Sequence, residues 1–307
     1  MTQREITEII KRKAIEIGFT KVGVTSAEPF DEAADRFSAW VAGGAHGLMK
    51  WMERDHEKRR DVRNILPGAK SILSLALNYY SRDSEDSRGL KISRYAWGMD
   101  YHEVIPPMLR RLLDEIRKLV PGAEGRYYSD TGPLLEKAIA ERAGVGWRGK
   151  HTNLITREKG SWVFLAEIIL NIDLEPDLSA EDMCGTCTRC IEACPTDALA
   201  PYEIDATRCI AYLTIELKPE HEIPAELASK LDGWIYGCDI CQEVCPWNRF
   251  EEPTTVAEFA PREEILSLTP TEIERMAQEE FSNRFRKSPV KRTKLAGLKR
   301  NIRAARL

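Results

Sequence analysis

Ile6, Ile9, Ile10 and Ile17 recur at roughly helical spacing behind Thr2 and Glu5, which form a T-x-x-E capping box; residues 3–17 are therefore predicted to be an amphipathic helix ending at Gly18. Two runs rich in β-branched or aromatic residues, TKVGVT (20–25) and SILSLALNYY (71–80), read as buried strands. VIPPMLRRLLDEIRKLV (104–120) reads as a helix with its prolines in the first turn, where a missing N–H does little harm. GRYYSD (125–130) reads as a strand running into the helix GPLLEKAIAERAG (132–144), and SWVFLAEIILNIDL (161–174) as a last long apolar strand. This mixture over residues 1–178 predicts an α/β (α+β) layered domain, with strand order left open.

The polar stretch SRDSEDSRG (81–89) reads as an exposed loop. Residues 179–250 form a second, cysteine-bearing unit with short elements. Residues 251–307 are helical in composition, with Leu295, Leu298 and Ile302 on one face and cations around it. No internal repeat is visible beyond two related cysteine runs.

The chain has 307 residues, 43% hydrophobic and 31% charged, enough to bury two or three compact units. No segment approaches the roughly 20 apolar residues of a membrane span, and the start MTQREITEII shows neither a secretory nor a twin-arginine signal. The expectation is a cytoplasmic protein with reduced thiols, in which eight cysteines bind metal or clusters and form no disulfide framework. Charge is uneven: residues 281–307 hold ten Lys/Arg and no Asp/Glu, so with a whole-chain charge of −4 the first 280 residues carry −14. Such a basic end is a solvated helix face or a polyanion-binding surface.

Cys184, Cys187, Cys190 and Cys194, followed by Pro195, match the C-x2-C-x2-C-x3-C-P run that holds cubane iron–sulfur clusters. Three such thiolates grip three corners of one cube, and the fourth reaches a neighbouring cluster. Zinc sites usually appear as separated C-x2-C knuckles instead. Cys238, Cys241, Cys245 and Pro246 repeat the later spacing with Ile235 in the first position, leaving Cys209 over. The count then closes: Cys184, Cys187, Cys190 and Cys245 hold one [4Fe–4S] cluster, and Cys194, Cys209, Cys238 and Cys241 the other. Two clusters sharing ligand segments form a relay for single electrons, and nearly 180 residues of α/β structure in front of it suggest a domain housing an electron acceptor.

No G-x-G-x-x-G opens a strand-to-helix turn, so flavin and nicotinamide lose support, and the C-x3-C-x2-C spacing of radical chemistry is missing. DYHEVI (100–105) contains the D-x-H of cobalamin-ligating D-x-H-x-x-G segments, but Ile105 stands in place of the glycine, and His102 is read as a structural or surface histidine.

The combination ISRYAWGMDYHEVI, YSDTGPLLEKAIAERAGVGWRGKHTNLI, GSWVFLAEI, CGTCTRCIEACPTDAL and CDICQEVCPWN resembles the epoxyqueuosine reductases, over about residues 5–300. The resemblance implies a cobalamin-dependent, two-cluster reductase of tRNA, acting at the last step of queuosine formation. It also implies a nitroreductase-like layered domain holding base-off cobalamin above a ferredoxin-like module, and a monomer fed by an electron-donor protein. Asp130 in YSDTG matches the family's proposed proton donor; a capping role before the following helix is its other reading. Corrin contacts carried over by matching segments are Ser93, Tyr95, Asn153, Leu154, Leu165, Ala211 and Lys218, with Asp130 beside them. Arg60, from the run Lys58, Arg59 and Arg60, is assigned to the corrin side chains or phosphate, an exposed charge run being the alternative. Longer family members continue into a helical-repeat domain, whereas here KLAGLKRNIRAARL offers a basic helix for the anticodon arm. Competing expectations are a reductive-dehalogenase-like reductase of a small organic molecule and a ferredoxin-type electron carrier without turnover.

Overall fold

The computed structural model describes residues 1–82 and 90–305. Apart from Ser81 and Arg82, the predicted loop 81–89 lies outside the described residues. The first helix, α1 (Gln3–Ile17), starts at the predicted capping box, with the Thr2 N–H donating to Glu5 Oε2 at 2.8 Å. It ends at Gly18, whose φ of 121° suits a residue without a side chain.

There follow β1 (Lys21–Ser26), α2 (Asp31–Ala42), α3 (His56–Arg60), β2 (Ser71–Asn78), β3 (Lys91–Ile92), α4 (Tyr101–Leu119), β4 (Gly125–Tyr128), α5 (Glu136–Arg142), β5 (Trp147–Arg148), β6 (Leu154–Ile155) and β7 (Val163–Leu170). The main sheet has the order β1-β2-β7-β4, and each neighbouring pair is antiparallel. Its faces are covered separately. Leu73, Leu75, Leu77, Ala166, Ile168 and Leu170 pack against Ile10 and Ala14 of α1 and Leu109, Leu112, Leu113 and Ile116 of α4. Ile72 and Ile169 pack with Ile139 of α5, Phe30 and Val62 on the other side. All of β2 is buried, and each fully buried Leu or Ile contributes about 1.5–3 kcal/mol.

Two boundaries differ from the periodicity. α4 begins at Tyr101 because Asp100 caps it, its carboxylate accepting the His102 N–H at 3.0 Å. Pro106 and Pro107 consequently fall in the second turn rather than the first. α5 begins at Glu136, not at Gly132, and residues 129–135 form a turn that starts with Asp130 at φ 60°.

The remainder consists of short pieces: α6 (Arg189–Glu192), β8 (Leu199–Ala200), β9 (Glu203–Ile204), a π-helical turn (Tyr212–Glu216), α7 (Ala225–Ala228), β10 (Trp234–Tyr236), α8 (Ile240–Glu243), α9 (Glu263–Leu266), α10 (Pro270–Arg275), α11 (Gln278–Arg284) and α12 (Lys294–Ala305). Packing does not follow the linear order. β3 pairs in parallel with β10, and Ile92, Ala96 and Trp97 share a core with Ile235, Tyr236, Ile273, Phe281, Phe285, Leu298 and Ile302. Among the described residues no helix is long and apolar enough to cross a membrane.

The basic C-terminal helix is not the free cationic face its composition suggests. Arg300 on α12 is 1% exposed. Its guanidinium donates to the carbonyls of Leu213 (2.8 Å), Leu217 (3.0 Å), Lys218 (2.9 Å) and His221 (3.0 Å). Asn301 donates to the carbonyls of Thr214 and Ile235 at 2.7 and 2.8 Å. Together they satisfy backbone carbonyls in and just beyond the π-helical turn and on β10, carbonyls whose burial would be costly without donors.

Candidate active site

A cavity of about 1050 Å³ opens where the start of α4, the turn after β4, the start of β7 and the cysteine unit meet. Pockets for drug-sized molecules run to roughly 1,000 Å³, so this one has room for a large ligand. Aromatic rings line part of it: Tyr101 stacks on Phe164 at 4.4 Å between centroids, and Tyr79 lies 4.5 Å from Phe164.

One wall is acidic. The Tyr101 hydroxyl donates to Asp130 Oδ2 at 2.7 Å, and the Asp130 N–H donates to Glu136 Oε1 at 2.6 Å. The N-cap of α5 is Leu135, so the Asp130 carboxylate is turned to Tyr101 and does not cap that helix. His102 Nε2 lies 3.8 Å from Asp130 Oδ2, and its Nδ1 lies 2.8 Å from Asp100 Oδ1. Burial pulls the His102 pKa down, but the hydrogen bond to Asp100 and the charges of Asp100 and Asp130 outweigh it and raise the net value. Burial pushes the Tyr101 phenol far up, reinforced by Asp130, so it remains a donor.

Cys194, Cys209, Cys238 and Cys241 line the same cavity and form its thiol wall. The thiols lie among one another: Cys245 is near the charges of Cys184, Cys190 and Cys187, Cys238 near Cys209 and Cys194, and Cys241 near Cys209, Cys238 and also Cys190. All eight cysteines are free of disulfides. Among the described residues, no three His, Cys, Asp or Glu side chains could hold a single metal ion. Loops around the first set are held from outside: Lys150 Nζ donates to the carbonyls of Gly185 at 2.7 Å and Cys187 at 3.1 Å. The donor set of two thiol tetrads fits two iron–sulfur cubes.

Ser93, Tyr95, Asn153, Leu154, Leu165 and Ala211 all line the cavity with Asp130. Ser93 Oγ donates to Asp239 Oδ1 at 2.5 Å, and the Tyr95 hydroxyl donates to that of Tyr236 at 3.2 Å. Two carried-over residues stand elsewhere. Arg60 is bound to Asp31 at 2.7 Å and Asp35 at 2.5 Å on the outer side of α2, where two carboxylates hold its guanidinium. Lys218 is exposed beyond the π-helical turn, and its carbonyl is held by Arg300.

Tyr101, His102, Glu136 and His151 also line the cavity, and sequence reading missed them as site residues. DYHEVI held the signal for the first two, which lie beside Asp130. Burial, then the charge of Lys137, pushes the His151 pKa down to about 4, and its Nε2 has no hydrogen-bond partner. That buried neutral imidazole is a polar group awaiting a ligand. Gly237, also on the cavity lining, has φ 69°, and a Cβ there would lie 2.5 Å from Ser93 Cβ. The orphaned nitrogen, the aromatic surface and the volume together fit a large planar cofactor. At the mouth, Arg286, Lys287, Lys291 and Arg292 form a cationic rim, Arg292 being bridged to Glu216 at 2.8 Å.

Residues 59–131 match the family model "Epoxyqueuosine reductase QueG, DUF1730", and residues 183–248 match the "4Fe-4S double cluster binding domain". An epoxyqueuosine reductase of Leadbetterella byssophila is 46% identical over 299 residues, covering 97% of this chain and 98% of the relative. A crystal structure of an epoxyqueuosine reductase with an epoxyqueuosine-modified tRNA-Tyr stem loop superposes with a TM-score of 0.92 at 36% identity, over 99% of this chain and 81% of that one. A Bacillus subtilis epoxyqueuosine reductase, seen with its aspartate catalytic loop swung out of the active site, superposes with a TM-score of 0.91 at 34% identity, over 99% of this chain and 82% of that one. With that identity across nearly its whole length, the chain belongs to the epoxyqueuosine reductase family.

Proposed function

We propose that this chain reduces epoxyqueuosine to queuosine at the wobble position of tRNA, with electrons arriving from the thiol wall of the cavity and a proton from the acid wall. The observation that carries the reading is the shared cavity, which Asp130 lines together with Cys194, Cys209, Cys238 and Cys241. Deoxygenating an epoxide to an alkene takes two electrons and two protons and releases water, so both supplies must reach one point.

Cys184, Cys187, Cys190 and Cys245 would hold one [4Fe–4S] cluster, and Cys194, Cys209, Cys238 and Cys241 the one nearer the cavity. Ser93, Tyr95, Asn153, Leu154, Leu165 and Ala211, with His151, would line a bound cobalamin. Bound there, cobalamin supplies a strongly reducing centre for the ring-opening step. Residues 1–178 act as the nitroreductase-like catalytic unit, 179–250 as the ferredoxin-like relay and 251–307 as the helical segment, with residues 90–97 built into the last.

Asp130 gives its proton to the departing oxygen. Tyr101 fixes the carboxyl through its hydrogen bond, and the Glu136 carboxylate holds the backbone N–H beneath it. The Asp130 turn lies outside helix and strand, as suits the aspartate loop that moves in the Bacillus subtilis relative. The rim of Arg286, Lys287 and Lys291 meets the phosphates of an anticodon loop whose wobble base is splayed into the cavity.

Family membership and the acid wall favour this activity over reduction of small halogenated molecules and over simple electron carriage. The test is mass detection of nucleosides from epoxyqueuosine-containing tRNA incubated anaerobically with the cluster-loaded protein, cobalamin and reductant. Loss of one oxygen from the modified base is expected. An unchanged base alongside reduction of halogenated compounds would reverse the assignment, and absence of both with no corrin uptake would leave only electron carriage.

A further inference from the structure

The α5-facing side of the main sheet carries one fully buried acid. On β7, Glu167 falls between Leu165 and Ile169 on that side and is 0% exposed. Its cross-strand neighbours are Ser74 on β2 and Tyr128 on β4. Neither carboxyl oxygen of Glu167 receives a well-formed hydrogen bond, and Ser74 Oγ is likewise unpartnered. The groups facing this carboxyl are that of Glu136 and the Ser74 hydroxyl.

Ionised carboxylates only accept hydrogen bonds, so a fully buried Glu167 with no cation or donor on its oxygens holds a proton, and its neighbour Glu136 faces it from the cavity side. Glu136 reaches the cavity wall beside Asp130, and Glu167 sits behind it, away from the cavity surface. The arrangement therefore runs from a sealed carboxyl to one at the reacting space. Epoxide deoxygenation consumes two protons, and Asp130 carries one.

We propose that the Glu136–Glu167 pair stores the second proton, which Glu136 delivers to the departing oxygen and Glu167 replaces from behind. This rests on the assigned activity with Asp130 as the first donor. In balance, both C–O bonds of the epoxide break and a carbon–carbon double bond forms with two electrons delivered one at a time through the iron–sulfur clusters from an external electron-donor protein. One proton from Asp130 and one from Glu136 convert the oxygen to water. The Glu167 proton then shifts to Glu136, and solvent entering the emptied cavity restores the two protons lost. Glu136 is the catalytic residue of the pair, and Glu167, acting through it, is a positioning residue.

The charged surroundings suit this storage. Glu136 faces Asp130, Glu167, Lys137, Tyr101 and Arg59, and Glu167 faces Glu136, Asp130 and the neutral Ser74. Burial, then the charge of Asp130, raises the Glu136 pKa; burial, then Glu136, raises that of Glu167. Raised in this way, Glu136 to about 7, the pair retains proton occupancy at neutral pH that ordinary carboxyls lack and loses it as pH rises through its apparent pKa.

Glu167→Gln preserves the neutral shape but has no acidic proton to give. With clusters and corrin retained, single-turnover reduction of epoxyqueuosine-containing tRNA is expected to slow about 100-fold at neutral pH. The alkaline limb of its pH profile should move toward alkali, because the Glu136 carboxylate loses the Glu167 hydrogen bond that lowers its pKa. Glu136→Gln can still accept the Asp130 N–H and should lose as much, and the double variant no more. Wild-type turnover and an unmoved pH profile in Glu167→Gln would overturn the proposal. Infrared spectroscopy of the wild-type protein needs no variant to fold: a protonated-carboxyl C=O band at neutral pH is expected, and its absence would equally overturn the pair. If the wild-type protein itself leaves the epoxide intact, the assigned activity fails; if it turns over and Glu167→Gln matches it, only the relay does.

Discussion

The two walls of the cavity are built by different means. The thiol wall consists of short loops and single turns, such as α6 and α8, each followed by a cysteine and a proline. The acid wall is set by sheet and helix: α4 carries Tyr101, the short strand β4 leads into the Asp130 turn, and the buried strand β7 holds Glu167 behind Glu136. The difference follows the cargo. An electron relay needs only ligands at the right spacing around a rigid inorganic cube, which orders the loops that bind it. Proton transfer requires donor and acceptor within hydrogen-bond reach before reaction, so the scaffold must supply the rigidity.

The contrast can be broken hardest from the thiol side. Cys241→Ser should remove the cluster nearer the cavity, leave about half the iron and abolish turnover, as read by iron analysis and nucleoside mass detection. Full iron with normal turnover would remove Cys241 from the ligand set. On the acid side, Asp130→Asn should keep both clusters and corrin binding but slow the reaction about 100- to 10,000-fold. Here the loss is chemical rather than structural, so the cluster spectrum stays the same and only the product changes.

A third substitution tests how the thiol loops are supported. Arg300→Met leaves the carbonyls of Leu213, Leu217, Lys218 and His221 without their donor, just after Cys209. A stability loss of about 3 kcal/mol in chemical denaturation is expected, with faster cluster release on heating. The smallest effect should come from Arg60→Ala, which removes only the outer ion pairs to Asp31 and Asp35. Corrin affinity and turnover should match wild type; a marked loss of corrin affinity would return Arg60 to the cofactor.

Legibility was uneven in the same way. The capping box of α1, the buried strand β2 and the apolar strand β7 were readable because local periodicity and a buried face specify them. The start of α4 was misplaced because one Asp100 side chain extends the helix upstream. The basic character of α12 was real in composition, yet Arg300 faces inward because the π-helical turn presents carbonyls that need donors. Arg60 carried the same kind of ambiguity: a cation in sequence gives no sign of whether phosphate or neighbouring aspartates will hold it.

By itself the sequence determined the inorganic chemistry, since cysteines two or three residues apart on one short loop are placed by local backbone geometry. It also determined the alternation of buried strands and helices. The tertiary structure alone decided which acids meet the reacting space. Tyr101 reaches Asp130 across 29 positions, Ser93 reaches Asp239 across 146, and Glu136 meets Glu167 from a helix laid over a strand. Such pairings depend on sheet order and helix packing, and these arise from burying apolar faces that carry no mark of which polar groups they will bring together.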